Sequence, residues 1–230
     1  MIRRKTKSQP RRQLIAKNQP KSPISEQYRN IRTNIQFSAV DTDIRSLMVT
    51  SANPGEGKTT TTANLAVVFA QQGKKVLLVD TDLRKPSLHE MFRTDNILGL
   101  TSILSKQGTL EKCIRKTEDA NLHFLPCGAI PPNPAELLGS AAMKDFIEKA
   151  QSQYDLVIFD TPPVLAVTDA QVMANQCDSI VMVVRSGQTE KEQALKAKAL
   201  LENAKGKLLG VVLNDKKQKE SEYYYYYGKK

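Results

Sequence analysis

The stretch LMVTSANPGEGKTTTTANLAVVFA, residues 47–70, combines residue types that bind phosphate. An apolar run and a glycine-rich turn lead into Gly57-Lys58-Thr59, and a helical pattern follows. This order is typical of a phosphate-binding loop between a strand and a helix. Gly55 and Gly57 let backbone N–H groups turn toward an anion, and the start of a helix favours negative charge there. The stretch therefore predicts a nucleotide site.

Two side chains of this loop have specific expected roles. Lys58 is placed to reach the β- and γ-phosphates, and the Thr59 hydroxyl is placed to ligate Mg²⁺. Ala52 replaces the first consensus glycine, and a residue this small still permits the turn. We expect the loop and the first helical turn to hold the nucleotide through Gly55, Glu56, Gly57, Lys58, Thr59 and Thr60.

Carboxylates end two other apolar runs, VLLVD and LVIFD. Asp80 and Asp160 close these runs, and Asp82 follows the first of them in the sequence DTDLR. Magnesium needs further oxygen ligands, and open parallel sheets bind ligands at the carboxyl ends of their strands. A single aspartate at a strand end is equally often a helix cap. Three of them beside a phosphate loop favour a metal and catalytic site.

The chain ends SEYYYYYGKK, so that five of its seven tyrosines are consecutive. A polar linker, DKKQKESE, precedes them. No helix or strand period buries five adjacent side chains on one face. The tail alone is compatible with two interpretations, a set of phosphoryl acceptors or an aromatic segment that docks on a partner.

Charge is concentrated at the start of the chain. The 230 residues carry a net charge of +10, and residues 1–32 contribute +9 of it, with ten bases and one acid. Such a segment suits anionic lipid, nucleic acid or an acidic partner, or is simply solvated. No run approaches the ~20 apolar residues of a membrane span, and the start lacks the apolar core of a signal peptide. We therefore expect a cytoplasmic protein.

Short apolar runs alternate with helical patterns along the rest of the chain. This alternation predicts an α/β fold, with a mostly parallel sheet flanked by helices on both faces. Three scattered cysteines predict reduced, buried thiols rather than disulfides or a zinc site. Six runs are expected to be strands buried on both faces, namely 47–51, 75–80, 123–126, 155–160, 179–184 and 207–214.

Helices are expected between these runs. Residues 58–72 place an apolar stripe on one face, formed by Leu65, Val68 and Phe69. A second helix is expected to start at Pro134, with Asn133 as its cap and Glu136 closing a capping box, and another at Thr189. We divide the chain into a basic segment (1–45), a nucleotide-binding domain (46–214) and a tyrosine-rich tail (215–230).

The combined motifs resemble those of one family. The loop, VLLVDTDLR and LVIFDTPP are similar to the three Walker-type motifs of the bacterial tyrosine kinases of capsular and extracellular polysaccharide synthesis. The pattern Glu26-x-x-Arg29-x-x-Arg32, the stretch IPPNPAELLGS and the terminal tyrosines also match, from about residue 20 to the end. The resemblance implies the P-loop fold of the partitioning and septum-site ATPases. Those ATPases carry a signature lysine where this chain has Asn53-Pro54.

The resemblance also implies ATP and Mg²⁺ as cofactors and roles for the site residues. Lys58 would hold the phosphates, Thr59 and Asp160 would position Mg²⁺, and Asp80 would help to order the metal. Asp82 would be the base for the incoming tyrosine, whose hydroxyl is a poor nucleophile at neutral pH.

Two further side chains have weaker assignments. Asn214, at the end of the last predicted strand, is an expected adenine contact. Arg84 either stabilises charge that develops during the reaction or pairs with an acid, and the sequence favours neither.

The resemblance makes the terminal tyrosines phosphoacceptors, modified by a neighbouring subunit of a ring. The linker is also long enough for reaction within one chain. The resemblance thus implies an oligomerisation helix within residues 1–45, where Glu26, Arg29 and Arg32 would pack against that neighbour. Their spacing equally suits a solvated ladder of ion pairs. The acceptors are Tyr223, Tyr224, Tyr225, Tyr226 and Tyr227.

The split type of this family implies a separate transmembrane activator and a location at the inner face of the cell membrane. A tyrosine phosphatase and sugar-nucleotide enzymes are expected regulators or substrates, and nucleic acid is not. Two other hypotheses stay open. One is a partitioning-type ATPase whose basic arm binds DNA or membrane, and the other is a non-catalytic adaptor that offers its tail to another kinase.

Overall fold

A single sheet forms the centre of the protein. The computed structural model describes residues 13–38 and 43–217. The apolar runs pair side by side because each is too hydrophobic to remain solvated. The strands are β1 (Ser46–Ser51), β2 (Val76–Asp80), β3 (Arg115–Lys116), β4 (Leu122–Leu125), β5 (Leu156–Asp160), β6 (Ser179–Arg185) and β7 (Lys207–Asn214).

Helices cover the sheet and enclose two apolar cores. One core contains Leu83, Phe146 and Met173, and the other contains Leu65 and Phe124. The helices are α1 (Ile15–Asn18), α2 (Pro23–Phe37), α3 (Lys58–Gln71), α4 (Leu88–Phe92), α5 (Leu100–Leu104), α6 (Leu110–Cys113), α7 (Pro134–Leu138), α8 (Ala141–Gln153), α9 (Asp169–Ala174) and α10 (Lys191–Glu202).

The strand order is β3-β4-β2-β5-β1-β6-β7. All neighbouring strands are parallel except β3 and β4, which are antiparallel. The predicted α/β class is confirmed, and so is the mostly parallel sheet. In the register of β2 with β5, Asp80 lies opposite Asp160, so both carboxylates reach the same edge of the sheet. The two-residue strand β3 has no apolar run and was not predicted.

The helix that follows the phosphate loop is buried on all sides. Residues 61–70 of α3 are buried without a break, so the prediction of one apolar stripe was too narrow. The N-terminal helices cover the outer face of α3. Ala16 donates its N–H to Asn64 Oδ1 at 2.9 Å, and Tyr28 of α2 belongs to the same core as Leu65. The described part of the basic segment therefore packs directly on the nucleotide-binding domain.

Strand β7 departs from its prediction, which had both of its faces buried. It pairs with β6 along one side and lies at the end of the sheet order. Val211 is 49% exposed and Leu213 is 53% exposed. The apolar sequence KLLGVVLN was correctly predicted to be a strand, but the prediction of burial was wrong.

Two predicted helix starts differ in detail. Helix α7 begins at Pro134 as expected, but the Asn133 side chain makes no capping bond and instead donates to Glu136 Oε2 at 2.8 Å. Helix α10 begins at Lys191 rather than at Thr189. The Thr189 hydroxyl accepts the Arg185 backbone N–H at 2.8 Å, because the turn between β6 and α10 uses it first.

The three cysteines are free and buried, as predicted. Burial raises the pKa of Cys127 to about 12, which leaves it an inert thiol. No helix in the described part of the chain is long and apolar enough to cross a membrane. The predicted acceptors, Tyr223 to Tyr227, and most of the N-terminal bases lie outside the described residues.

Candidate active site

The phosphate-binding loop joins β1 to α3 as the sequence predicts. Gly55 and Gly57 have φ of +82° and +93°, a left-handed region in which other residues are strained. A Cβ on Gly57 would lie 2.0 Å from Asn214 Nδ2. Asn214 donates to the Glu56 carbonyl at 2.9 Å, so the end of β7 rests against the loop. The loop thus requires glycine at position 57 for both its backbone angle and its close contact.

Lys58 is the first residue of α3 and points toward carboxylates at the end of β5 and just after β2. Its Nζ lies 3.0 Å from Asp82 Oδ2 and 3.5 Å from Asp160 Oδ2. It also donates to the Thr59 hydroxyl at 3.3 Å. Burial lowers the pKa of Lys58, but Asp160 and Asp82 outweigh burial and the pKa is raised overall. Lys58 is therefore a fixed positive charge at the centre of the site.

Asp160 is a completely buried carboxylate beside Lys58. Its Oδ1 accepts from the Thr62 hydroxyl at 3.2 Å, and its Oδ2 has no hydrogen-bond partner. Burial raises the pKa of Asp160, and the neighbouring Lys58 and Thr59 oppose that rise. The cation beside Oδ2 is Lys58, 3.5 Å away, and the oxygen keeps acceptor capacity for a further ligand such as a metal ion.

Asp80 is tied to the backbone that follows it. Its Oδ1 accepts the Asp82 N–H at 3.2 Å, and its Oδ2 accepts the Ser87 and Leu88 N–H groups, each at 3.0 Å. Burial, followed by the charge of Asp160, raises the pKa of Asp80 to about 7. Asp80 therefore organises the segment 81–88 through its own hydrogen bonds.

Asp82 lies within that segment, where its side chain faces Lys58. Its Oδ1 accepts the Lys85 N–H at 3.0 Å, while its Oδ2 pairs with Lys58. Asp82 is only 6% exposed, so the pair is shielded from water. Lys58, Asp80, Asp82 and Asp160 are thus brought together, as the sequence analysis expected.

Arg84 pairs with an acid, which was one of its two predicted roles. Its Nε and one terminal nitrogen donate to Asp169 at 2.9 Å and 3.0 Å. Asp169 is completely buried at the start of α9. Sequence reasoning did not consider Asp169, although its place shortly after LVIFDTPP was a usable signal.

A second group of contacts supports the loop from α10 and the turn before it, and sequence reasoning missed it. Glu56 Oε1 accepts from the Thr189 hydroxyl at 2.7 Å and from the Asn53 amide at 3.3 Å. Asn53 also donates to Gln193 Oε1 at 2.7 Å. Glu56, predicted only as a nucleotide contact, is therefore a buried structural residue of the loop as well.

The start of the C-terminal segment also contacts the phosphate-binding loop. Arg185 donates to Asp215 Oδ2 at 2.9 Å and 2.8 Å, and to the Gly55 carbonyl at 3.4 Å. Asp215 follows Asn214, the predicted adenine contact, so the chain leaves β7 beside the phosphate loop. Thr60, a further predicted contact, lies half-buried in the first turn of α3.

The predicted interface residues lie on α2, away from the carboxylates. Glu26 and Arg29 form an ion pair with each other. Arg32 instead donates to the Val68 carbonyl near the end of α3 at 2.9 Å. The three are therefore not one ladder, because Arg32 contacts α3 rather than Glu26 or Arg29.

Comparisons with known proteins identify the family of this chain. The AAA domain family matches residues 44–204. Tyrosine-protein kinase YwqD of Bacillus subtilis (strain 168) is 56% identical over 94% of this chain and 91% of its own length. The crystal structure of the chimerical protein CapA2B2 superposes with a TM-score of 0.86 at 46% identity, over 89% of this chain and 90% of that one.

A septum-site ATPase is similar to a smaller extent. The septum-site-determining protein MinD of Pyrococcus horikoshii OT3, complexed with Mg-ADP, has a TM-score of 0.65 and 28% identity, over 76% of this chain and 72% of that one. The fold is therefore shared with such ATPases, as predicted, while the kinases are more similar in sequence. The chain belongs to the bacterial protein-tyrosine kinases.

Proposed function

We propose that this kinase transfers the γ-phosphoryl group of ATP to its own tyrosines, Tyr223 to Tyr227, and thereby regulates capsule or extracellular polysaccharide synthesis and export. The observation that carries the proposal is the convergence of Lys58, Asp82 and Asp160 at the start of α3. This set provides a cation for phosphate, a base and a metal-binding oxygen in one buried place. A partitioning-type ATPase is a weaker alternative, because ATP hydrolysis alone would not explain the five consecutive tyrosines of the tail.

Transfer requires one proton acceptor and one phosphate clamp. The tyrosine oxygen attacks the γ-phosphorus, the bond from that phosphorus to the bridging oxygen breaks, and ADP leaves with the bond electrons. Asp82 accepts the phenolic proton, which is otherwise held with a pKa near 10. Lys58 gives up its hydrogen bond to Asp82 and binds a phosphate oxygen instead. The two residues therefore change partners together.

The P-loop fold uses ATP, and the oxygen atoms of Thr59 and Asp160 are suitable ligands for Mg²⁺. Thr59 contributes a hydroxyl and Asp160 contributes the oxygen that has no hydrogen-bond partner. These are ligands of the hard type that Mg²⁺ prefers. When bound, the ion neutralises charge on the phosphate oxygens. Both Asp80 oxygens accept backbone N–H groups, so we assign Asp80 an indirect part, through the segment that carries Asp82.

Tail phosphorylation is proposed to occur between subunits of a homo-oligomeric ring. Glu26 and Arg29 on α2 would contact the neighbour, and Arg32 would support α2 from beneath through its bond to α3. Each phosphate adds about −1.5 to −2 charges at pH 7. Five of them would oppose the net charge of +10 and favour dissociation of the ring.

Regulation is proposed to come from the membrane. A separate transmembrane activator would dock its cytoplasmic end on the kinase and hold it at the inner face of the cell membrane. The basic segment would assist there, at roughly 1 kcal/mol per base near anionic lipid. A tyrosine phosphatase would reverse the modification, and sugar-nucleotide enzymes are the proposed external substrates.

The decisive experiment measures phosphate on purified protein with ATP and Mg²⁺. Intact mass and phosphotyrosine detection would compare wild type, Lys58→Met and a variant with all five tail tyrosines changed to Phe. Several additions of about 80 Da on the wild type alone are expected, one for each phosphoryl group. Lys58→Met tests the site and the Phe variant tests the acceptors.

The outcomes separate the hypotheses. Phosphate on Lys58→Met after expression in a host without other tyrosine kinases would contradict self-phosphorylation. ATP hydrolysis with no phosphate on any tyrosine, even with the cytoplasmic segment of a candidate activator, would favour the ATPase alternative. Phosphate that persists in the Phe variant would place the acceptors elsewhere in the chain.

A further inference from the structure

The bidentate pair of Arg84 and Asp169 joins two parts of the chain that are 85 residues apart. Arg84 lies two residues after Asp82, and Asp169 is the first residue of α9. Two parallel N–H to carboxylate bonds fix the orientation of a side chain as well as its distance. The pair therefore sets where the backbone near Asp82 lies relative to α9.

The two partners differ in burial. Asp169 is completely buried, whereas the Arg84 side chain is 42% exposed. A buried carboxylate is costly unless a cation or hydrogen bonds compensate it, and Arg84 provides both. The bond to Asp169 in turn raises the pKa of Arg84. Asp169 thus draws an otherwise solvated arginine to a defined place at the edge of the site.

The segment 81–88 is held by other contacts at its ends. Thr81 donates its N–H to the Asp160 carbonyl at 2.9 Å, and Asp80 accepts the Ser87 and Leu88 N–H groups. Asp82 and Arg84 lie between these two anchors. Asp80 and the Lys85 N–H bind Asp82 directly, and Asp169 adds a contact to Arg84 from the side of α9.

We propose that Asp169 is a positioning residue for phosphoryl transfer, acting through Arg84 on the placement of Asp82. The inference rests on the proposed function of Asp82 as the base. It assigns Arg84 to the support of that base rather than to contact with the phosphates. A base displaced by about 1 Å costs on the order of a hundredfold in rate, so the effect belongs to kcat.

The test uses the full chain and three variants, Asp169→Asn, Arg84→Gln and the double variant. Saturating rates of tail phosphorylation and half-saturating ATP concentrations would be measured for each. We expect each single variant to lower the saturating rate at least tenfold, with the half-saturating ATP concentration within about twofold of wild type. The double variant should be no slower than the slower single variant, because both changes remove one tether.

A matched control is the pair of Arg115 and Asp95, whose nearest atoms are 3.0 Å apart. Asp95→Asn removes an Arg–Asp pair at β3 and should leave the saturating rate within twofold of wild type. If Asp169 were only a structural residue of α9, its loss would lower stability and ATP affinity together, and Arg84→Gln would have little effect on rate. Either a wild-type rate in Arg84→Gln or additive losses in the double variant would overturn the proposal.

Two further measures keep the proposal testable if a variant fails to fold or the kinase is inactive. If Asp169→Asn fails to fold, Arg84→Gln carries the test alone, since its side chain is partly exposed. Hydrogen exchange of the Lys85, Ser87 and Leu88 amides gives a readout that needs no kinase activity. If the wild type incorporates no phosphate, the proposed function fails. The role of the Arg84–Asp169 pair is then still tested by hydrogen exchange. Unchanged amide exchange in Arg84→Gln would overturn that role, whereas at least tenfold faster exchange would support it.

Discussion

Lys58 Nζ lies 3.0 Å from Asp82 Oδ2, so the lysine predicted to bind phosphate and the predicted base form one ion pair. The negative charges of the nucleotide and of Asp82 therefore compete for the same cation. Binding of ATP would release Asp82 from Lys58 and free its carboxylate to accept a proton. In the proposed mechanism, the pair would link nucleotide binding to activation of the base.

Replacing Asp82 by Asn should separate binding from chemistry. We expect tail phosphorylation to slow by about 10²- to 10⁴-fold, the usual contribution of a general base. ATP should bind at least as tightly as in wild type, because Lys58 no longer has to break an ion pair with Asp82 before it binds phosphate. Single-turnover rates and calorimetric ATP titrations would measure the two effects. Weaker ATP binding together with an unchanged rate would contradict this assignment.

Gly57→Ala should weaken nucleotide binding and lower stability at least as much as a strained φ alone would. The new Cβ would meet Asn214 Nδ2 at 2.0 Å, and the residue would keep an unfavourable φ of +93°. We expect ATP affinity to fall at least tenfold in a fluorescence titration. Gly73→Ala is the control, since it has φ of +97° and no atom within 4 Å of the new Cβ. It should cost about 1–2 kcal/mol in urea unfolding and leave ATP affinity unchanged.

A triple variant, Glu26→Ala/Arg29→Ala/Arg32→Ala, should shift the protein to smaller assemblies in size-exclusion chromatography with light scattering. The proposed interface loses its exposed ion pair and the support of α2. Arg32→Ala alone should cost about 1 kcal/mol of stability, because the bond to the Val68 carbonyl is lost. Lys198→Ala/Glu202→Ala removes a comparable surface pair on α10 and should not change the mass. Normal assembly of the triple variant would exclude this interface.

His123 predicts a pH dependence of folding. Burial, followed by the charges of Lys75 and Lys116, lowers the pKa of His123, and its Nδ1 lies 2.7 Å from the Tyr154 hydroxyl. As the pH falls below about 6.5, His123 therefore binds a proton in the unfolded chain but not yet in the folded chain. This contribution to stability is present above pH 6.5 and is lost as the pH falls through the unfolded pKa toward the folded pKa.

The measurement for this prediction is urea unfolding at pH 7.5 and 5.5 for wild type and His123→Gln. Wild type should lose more stability than the variant on acidification, since Gln does not titrate. Tyr154→Phe, which removes the hydroxyl but keeps His123, should retain the pH dependence. Equal pH dependence in wild type and His123→Gln would show that another group is responsible.

Much of the site followed from the sequence because its residues occupy strand ends. The carboxyl ends of β2 and β5 must meet at one edge once the sheet is parallel, so Asp80 and Asp160 were predictable together. The spacing of the phosphate loop likewise fixed Lys58 at the start of α3. These features depend on local pattern and on one rule of sheet geometry.

Other features depend on the partners that tertiary structure supplies. The role of Arg84 could not be decided because its partner, Asp169, is 85 residues away. Thr189 carries a sequence signal for a helix cap, yet its hydroxyl is already used by Arg185 and Glu56. The apolar run of β7 predicted a strand but could not indicate that the strand would form an edge.

Arg185 binds both Asp215 and the carbonyl of Gly55, so the C-terminal segment starts from a point fixed beside the phosphate loop. An acceptor attached to such a point meets any active site within reach at an effective concentration set by the length of its tether. Dilution of the protein changes that concentration only by separating subunits. Under the proposed function, the rate of tail modification would therefore be governed by tether length and assembly, and the abundance of the enzyme in the cell would matter only where it controls assembly.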